Sequence, residues 1–293
     1  MIVLGAVLPH PPILLPQIGK GRQAEAQSTL DAYDTVAAQL RELAVQRLLV
    51  ISTHGIVTLQ RYHILASKLS GDLERFQANL LTFEREADND LVIAIQSAAD
   101  THNVPLTPTN HWEQSDHSVG VPLRLLGDSV PAQIAVVSIS FRPPQDHYNF
   151  GRAIADALTT FSEPTAIIAS GDAVHTLTED SSYGLHPRAT EVQQQYEAAL
   201  ANWDQKGLIA IDESLRREVD ESVISPTLIL MGALQGQSAN PRILASEHPW
   251  GVAYVTALVQ TQPDPADSLA DGAAENPTVL PPAGRDAESR GGR

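Results

Sequence analysis

Short apolar segments alternate along this chain with longer amphipathic stretches, and this alternation limits the folds that the chain can adopt. The apolar segments are rich in β-branched residues, as is typical of buried strands. Strands that alternate with helices predict an α/β domain with a central, mostly parallel or mixed sheet flanked by helices. The predicted strands are IVLGAVL (2–8), RLLVIST (47–53), AQIAVVSIS (132–140), TAIIAS (165–170) and WGVAYVTAL (250–258).

Four stretches between these strands are predicted as helices. AQSTLDAYDTVAAQLRELA places Leu30, Val36 and Leu43 at helical spacing, and NFGRAIADALTTF and RATEVQQQYEAALANW follow the same pattern. The fourth stretch, SPTLILMGAL, is strongly apolar. Ser225 is its candidate N-cap, and Pro226 would take the first helical position.

The chain changes character after residue 260. Residues 261–293 are rich in proline, glycine, alanine and acidic residues, and they show no helical or strand period. Such a composition does not bury enough apolar surface to offset the entropy lost on ordering. We therefore predict a single α/β domain over residues 1–260 and a disordered acidic tail over residues 261–293.

The composition excludes several classes of function. The 293-residue chain contains no cysteine, so disulfides, thiolate nucleophiles and Cys-ligated metal sites are excluded. Its net charge of −16, without a long basic run, argues against nucleic acid and anionic membranes as partners. No apolar run reaches the roughly 18 residues of a membrane helix, and the first residues do not resemble a signal peptide. We expect a cytoplasmic protein with a small-molecule ligand, as a homodimer or with a small partner subunit.

Three of the predicted strands run directly into loops that carry histidine. The first strand leads to His10, the second leads to His54, and TAIIAS leads to Asp172 and then His175. Ligands of open α/β sheets bind beyond the carboxyl ends of the strands, where residues distant in sequence meet. We therefore expect these histidines to converge on one point.

Each of these residues also has a structural interpretation. His10 precedes two prolines, which restrict the backbone and would either aim a ligand or end a strand rigidly. Asp172 would either orient His175 or cap a helix. His117 follows Asp116 in a loop ahead of an apolar segment, which is a weak signal by itself.

A metal site without cysteine needs a carboxylate or a third histidine beside His10 and His54. Two histidines and one carboxylate on one face form the facial triad of non-haem Fe(II) oxygenases. The carboxylate candidates are Asp172, Asp220 and Glu221. Glu221 also lies ahead of the predicted apolar helix, where an acidic residue complements the helix dipole.

Several motifs occur in one order along residues 2–258. They are VLPHPPILLPQIG, VISTHG followed by YHI, DHSVGVPL, ASGDAVHTLTEDSSYG, the segment from ES to LMGALQG, and PWGVAY. In this combination the chain resembles the class III extradiol ring-cleavage dioxygenases, specifically their catalytic B-subunit-like branch. The resemblance implies that family's α/β sandwich and a non-haem Fe(II)-dependent activity. The implied reaction inserts O2 into a catechol-type ring next to the diol.

The same resemblance implies roles for individual residues. His175 would be the catalytic acid/base, and His117 would contact the substrate or dioxygen. Asp172, beside the catalytic histidine, would support the substrate-binding side of the site. The residues implied as Fe(II) ligands are His10, His54 and Glu221.

The chain departs from this family at the acidic position. Glu221 is followed by Ser222 and Val223, whereas relatives often have Glu-Cys-Gly. Related Memo-like proteins share the fold and use a cysteine near this position, which this chain lacks. An alternative is therefore a Memo-like metal-binding or regulatory protein of the same fold without ring-cleavage activity. A hydrolase using Ser52 or Ser170 is a second alternative, although the chain has no G-x-S-x-G motif.

Overall fold

A computed structural model describes residues 1–263, which contain ten strands and nine α-helices. The strands are β1 (Ile2–Leu8), β2 (Arg47–Ser52), β3 (Tyr62–Leu65), β4 (Leu69–Leu73), β5 (Ala78–Ala87), β6 (Leu106–Thr109), β7 (Gln133–Ser138), β8 (Thr165–Ser170), β9 (Gln237–Glu247) and β10 (Tyr254–Pro263). The helices are α1 (Pro16–Gly19), α2 (Gln27–Glu42), α3 (Asn89–Thr101), α4 (His117–Leu126), α5 (Pro144–Leu158), α6 (Ala189–Ala201), α7 (Gln205–Ala210), α8 (Glu213–Glu218) and α9 (Ile224–Ala233). Short 3-10 helices lie at Pro12–Leu14, Arg22–Ala26, Glu74–Phe76 and Gly127–Ser129.

The strands form one mixed sheet in the order β4-β5-β7-β2-β8-β1-β10-β9, with β3 pairing to both β6 and β7. The four central strands β7, β2, β8 and β1 run parallel to one another. Antiparallel pairs lie to either side, between β1 and β10 and between β4 and β5. The predicted α/β class with a mixed central sheet is confirmed.

The register of the central strands brings their carboxyl ends to one level. Leu8 at the end of β1 pairs with Ser170 at the end of β8. Ser52 at the end of β2 pairs with Ser138 at the end of β7. Because parallel strands end at the same edge of a sheet, the loops that follow β1, β2 and β8 leave from neighbouring points.

Alternate residues of each central strand enter two hydrophobic cores, one on each face of the sheet. In β2, Leu48 and Val50 belong to the core beneath α2 and α4. Leu49 and Ile51 belong to the core beneath α3, α5, α6 and α9. Successive side chains of a strand point to opposite faces, so β2 is buried on both sides and its sequence is almost continuously apolar.

The apolar helix α9 lies inside the second core, and every residue of Ile224–Ala233 is buried. It begins at Ile224 rather than after Ser225, and the predicted Ser225 cap is wrong. The Ser225 hydroxyl instead accepts a hydrogen bond from Arg216 at 3.2 Å. The helix packs backbone to backbone on α5, since a Cβ at Gly151 would lie 2.1 Å from the Ile229 carbonyl oxygen.

Residues Met1–Gln262 form one compact unit, and β10 continues past the predicted domain end at residue 260. From residue 264 onward the predicted tail lies outside the described residues, so it stays a prediction. No helix between residues 1 and 263 has the length and apolar character that crossing a membrane requires.

Candidate metal centre

Four segments of the chain place polar side chains at the edge where β1, β2 and β8 end. His10 follows β1, His54 follows β2, and Asp172 and His175 follow β8. The fourth segment contributes His117, the first residue of α4. The structure brings these five residues into one cluster, which we call the strand-end cluster.

Three histidines of this cluster lie close enough to share one ion. His10, His54 and His117 each offer a nitrogen, and these nitrogens all lie within 4.8 Å of one another. The Nε2 atoms of His10 and His54 are 3.1 Å apart. The rings of His54 and His117 stack with their centroids 4.1 Å apart, and His10 meets both rings edge-on. Imidazole nitrogens suit iron, zinc and other first-row divalent metals.

Hydrogen bonds hold both the backbone and the ring of His10, which is 1% exposed. Its Nδ1 lies 2.9 Å from the Ser170 hydroxyl, and its backbone N–H donates to the Asp172 carboxylate at 3.1 Å. The hydroxyl of Tyr33 donates to the carbonyl of Pro9 at 2.5 Å. When Nδ1 donates to Ser170, Nε2 keeps the lone pair that a metal ion would bind.

Desolvation by the surrounding residues favours the neutral form of these three histidines, of which His10 is buried, His117 is half-buried and His54 is exposed. Desolvation lowers the pKa of His10 well below its usual value and also lowers the pKa of His54. The pKa of His117 falls to about 3, mainly through desolvation and then through the neighbouring charge of His54. The Asp116 carboxylate opposes the shift at His54 without reversing it. Neutral imidazole is the form that binds a metal ion, so His10, His54 and His117 are in a binding-competent state at pH 7.

Asp172 lies between two histidines of the cluster. Its Oδ2 is 3.7 Å from Nε2 of His10 and 3.8 Å from Nε2 of His175. Nδ1 of His175 lies 2.5 Å from the carbonyl oxygen of Asp220. A carbonyl only accepts, so Nδ1 carries the proton and Nε2 has a free lone pair when the ring is neutral. Burial raises the pKa of Asp172 to about 6, although the His175 charge opposes that shift.

Aromatic rings stand next to two of the histidines. The ring of Phe76 meets His117 with centroids 4.9 Å apart, and the ring of Tyr183 meets His175 at the same distance. Tyr183 is 57% exposed, so it lies where solvent reaches the cluster. Such edges and faces are suited to contact with a flat aromatic ligand.

The structure does not place Glu221 in the group formed by His10, His54 and His117, and its assignment as the third ligand stays a prediction. Its side chain is 1% exposed, and Oε2 pairs with Nε of Arg216 at 2.7 Å. Oε1 accepts a hydrogen bond from the backbone N–H of Ile224 and thereby caps α9. Both oxygens are therefore occupied within the fold, and one of them holds the start of α9, as the structural interpretation of this residue predicts.

Sequence reasoning missed residues that support the cluster. The hydroxyl of Ser222 accepts from the Asp172 backbone N–H at 3.0 Å and lies 3.1 Å from the Asp172 carbonyl oxygen. Ser222 therefore fixes the backbone of Asp172 from the position at which relatives often carry cysteine. Tyr33 lies within the predicted helix AQSTLDAYDTVAAQLRELA, and helical periodicity gives no sign of its contact with Pro9. Ser170 was considered only as a nucleophile, although its place at the end of β8 could have indicated a partner for His10.

These residues fit a divalent metal ion. At 3.1 Å, at most one of the two facing Nε2 atoms of His10 and His54 carries a proton. The other ring nitrogen of His10 contacts Ser170, and that of His175 contacts the Asp220 carbonyl. Histidines that bind metal are usually oriented in this way through their second ring nitrogen.

Comparison with known proteins gives matches over most of the chain. Residues 4–257 match the family described as the catalytic LigB subunit of aromatic ring-opening dioxygenase. Protein CA_C1420 of Clostridium acetobutylicum is 26% identical over 260 residues, which cover 85% of this chain and 55% of that protein. The chain therefore spans about half the length of this curated relative.

Among solved structures, the crystal structure of the uncharacterized protein JW3007 from Escherichia coli K12 is similar in fold. Its TM-score is 0.61 at 19% sequence identity, and the match covers 87% of this chain and 99% of that one. Together with the convergent histidines, the family match confirms the resemblance inferred from the motifs. The chain belongs to the LigB family, the family of the catalytic subunit of aromatic ring-opening dioxygenases.

Proposed function

We propose that this protein is a non-haem Fe(II)-dependent extradiol dioxygenase that opens a catechol-type ring next to the diol. The observation that carries the proposal is the meeting of three neutral histidines with a separate Asp172–His175 pair at one edge of the sheet. A site that only held a metal ion would not need a further histidine whose free nitrogen faces a carboxylate. Family membership over residues 4–257 supports the same reaction class.

The residues that would hold the metal are His10 and His54, with His117 or Asp172 as the third ligand. When bound, Fe(II) would supply Lewis acidity toward the diol oxygens and a path for electrons between the ring and dioxygen. His10 and Asp172 are buried, whereas His117 is half-buried and His54 is exposed, so water is excluded only on the His10 side of the centre, where electrostatic interactions are stronger.

His175 would act as the base. Its Nδ1 proton is committed to the Asp220 carbonyl, so Nε2 can accept a proton from a diol hydroxyl and later return it. Asp172, 3.8 Å from that nitrogen, would stabilise the imidazolium that forms. His117 would contact the substrate or dioxygen, and the rings of Phe76 and Tyr183 would flank an aromatic substrate.

One observation favours the second candidate, a Memo-like metal-binding or regulatory protein without ring-cleavage activity. Glu221 is held by Arg216, so it does not complete the two-histidine, one-carboxylate set of Fe(II) oxygenases. The histidine set alone is compatible with a protein that binds metal for another purpose. A homodimer or a small partner subunit stays a proposal under either function.

The deciding experiment is anaerobic reconstitution with Fe(II), followed by oxygen uptake with a panel of catechols. We expect uptake of one O2 per catechol consumed, with both oxygen atoms in the ring-opened product. His175→Gln should retain iron and lose uptake, whereas His111→Gln, at an exposed histidine outside the cluster, should retain both. No uptake on any catechol at full iron occupancy would refute the dioxygenase and favour the metal-binding protein.

A further inference from the structure

Asp116 is a fully buried carboxylate whose partners are all neutral. Its Oδ1 accepts from the backbone N–H of Ser118 at 3.0 Å and from the Ser118 hydroxyl at 2.6 Å. Its Oδ2 accepts from the Ser52 hydroxyl at 2.6 Å and from Nε1–H of Trp112 at 2.8 Å. Among residues 1–263 no lysine or arginine forms an ion pair with it. Four donated hydrogen bonds therefore stabilise its negative charge without a cation.

The carboxylate fixes the direction of the two hydroxyl groups. It can only accept, so Ser52 and Ser118 each donate their single proton to Asp116. The lone pairs of both hydroxyl oxygens are then left to accept from other groups. In the loop after β2, Ser118 Oγ accepts from the N–H of Thr53 at 3.1 Å, and Ser52 Oγ accepts from that of Gly55 at 2.8 Å.

The backbone N–H of His54 lies between these two contacts. It is 3.2 Å from the oxygen of Ser52 and 3.3 Å from that of Ser118. Three consecutive amides of the loop that carries His54 are therefore held by hydroxyls that Asp116 orients. A loop whose amides are fixed in this way presents its histidine in one direction.

Trp112 closes the same loop from another side. A Cβ at Gly55 would lie 2.3 Å from the Trp112 ring, so the indole is in direct contact with the backbone next to His54. The hydrogen bond from Nε1 of Trp112 to Asp116 holds the indole in this place. Asp116 therefore fixes the loop in two ways. Its hydrogen bonds orient the two serine hydroxyls, and it holds the Trp112 ring against the backbone of Gly55.

We propose that Asp116 is a positioning residue that sets His54 and His117 for binding a divalent metal ion. Asp116 reaches His54 through the two serines, and it immediately precedes His117 in the chain. The rings of these two histidines stack at 4.1 Å, so an error in either segment would separate them. The proposal rests on the metal centre of the proposed function.

Capping of α4 does not account for these contacts. A cap requires one oxygen near the N–H of Ser118, which Oδ1 supplies, whereas Oδ2 bonds to residues of two other segments. Asp204 gives the comparison, since it caps α7 through a bond to the N–H of Gly207 and lies outside the strand-end cluster. Asp204→Ser is thus a matched control for loss of a carboxylate cap.

The test compares Co(II) affinity, followed by visible absorption, in the wild-type protein and in Asp116→Ser, Ser52→Ala and Asp204→Ser. Serine at position 116 still caps the helix but cannot reach Ser52 or Trp112. We expect Asp116→Ser to weaken Co(II) binding 10- to 100-fold, as is typical for partners of metal ligands. Ser52→Ala should weaken binding in the same direction, and Asp204→Ser should leave it unchanged.

A second readout needs no metal. In the metal-free protein, the imidazole ¹⁵N and ¹H signals of His54 and His117 should shift or broaden in Asp116→Ser and Ser52→Ala but not in Asp204→Ser. Wild-type affinity in both Asp116→Ser and Ser52→Ala, with unchanged imidazole signals, would overturn the positioning role alone. A wild-type protein that binds no Co(II) would instead refute the metal centre. Ser52→Ala removes one hydroxyl, so it keeps the test decisive if Asp116→Ser does not fold.

Discussion

Asp172 and Glu221 are both buried carboxylates, yet their surroundings give them different capacities. Glu221 pairs with Arg216 at 2.7 Å and caps α9, so its charge and both of its oxygens are occupied by the fold. The neighbours of Asp172 are His10 and His175, and burial raises its pKa to about 6. A buried carboxylate with a guanidinium partner stabilises structure, whereas one that faces imidazole rings is available for chemistry.

The largest expected effect is loss of metal binding when the histidines are removed. His10→Ala and His54→Ala should each lower the affinity for Fe(II) by more than about 100-fold, because each deletes a ligand rather than a supporting contact. Metal content after anaerobic reconstitution and desalting measures this. Glu221→Gln should retain full metal content. A loss of metal from this variant would place Glu221 in the metal centre and remove the contrast with Asp172.

Glu221→Ala should be the most destabilising of the carboxylate variants. It leaves Arg216, 12% exposed, without its ion pair, and breaking such a pair costs about 3–5 kcal/mol. Urea unfolding of the metal-free protein measures the loss. The double variant Glu221→Leu/Arg216→Met should recover most of it, because apolar residues of similar size remove the unpaired charge. A loss below about 1 kcal/mol would show that the pair contributes little.

The pH dependence of stability tests the strand-end cluster as a whole. His10, His54 and His117 have pKa values below the usual 6.5, so the unfolded chain binds more protons than the folded one as pH falls below 6.5. Each excess proton lowers the free energy of unfolding by at most about 1.4 kcal/mol per pH unit, and the contribution of His54 is smaller because this side chain is exposed and solvent screens it. The metal-free protein should therefore lose stability steeply on acidification near pH 6 to 6.5, as urea unfolding would measure.

The raised pKa of Asp172 refines that expectation. Asp172 acts in the opposite direction between its unfolded value of 3.8 and about 6, because there the folded protein binds the extra proton. The slope should therefore become shallower below pH 6. His117→Ala should reduce the slope of unfolding free energy against pH by the equivalent of about one bound proton. His111→Ala should leave this slope unchanged. An equal slope in His117→Ala would mean that His117 titrates normally in the folded protein.

At pH 7, Asp172→Asn should raise the free energy of unfolding, whereas Glu221→Ala should lower it. The raised pKa of Asp172 means that its contribution to stability is present at low pH and is lost as pH rises through about 6. Its ionised form therefore costs up to about 3 kcal/mol at pH 7, at about 1.4 kcal/mol per pKa unit. Urea unfolding of the metal-free variant should show a higher free energy of unfolding than the wild-type protein at pH 7, and this difference should vanish near pH 4. A loss at pH 7 would mean that the charge stabilises the fold.

Most of the central fold was predictable because burial on both faces leaves a plain mark on the sequence. The strands β1, β2, β7 and β8 are short apolar runs, and their residues enter both cores. The edge strand β9 was missed since its residues alternate between exposed and half-buried and include Pro241, which argues against a strand. Its position depends on β10 and the neighbouring helices, which no local pattern records.

The site was predictable to the extent that it follows from strand ends. His10, His54 and His175 stand where their strands end, and the parallel register brings those ends to one level. The pairing of Glu221 was not predictable, because Arg216 lies five residues away across the end of α8 and only the fold makes them meet. The entry of His117 into the histidine group depends likewise on how α4 packs.

The smallest expected effect concerns the support of His10. Tyr33→Phe removes the hydroxyl that donates to the Pro9 carbonyl and leaves that buried acceptor unpaired, which should lower the free energy of unfolding by about 1–2 kcal/mol. Since the prolines after His10 still restrict its backbone, Fe(II) affinity should fall less than 10-fold. Tyr196→Phe, which removes a buried hydroxyl bonded to Thr227, is the matched control and should leave metal affinity unchanged. If Tyr33→Phe weakened metal binding as strongly as His54→Ala, Tyr33 rather than the proline segment would be what aims His10.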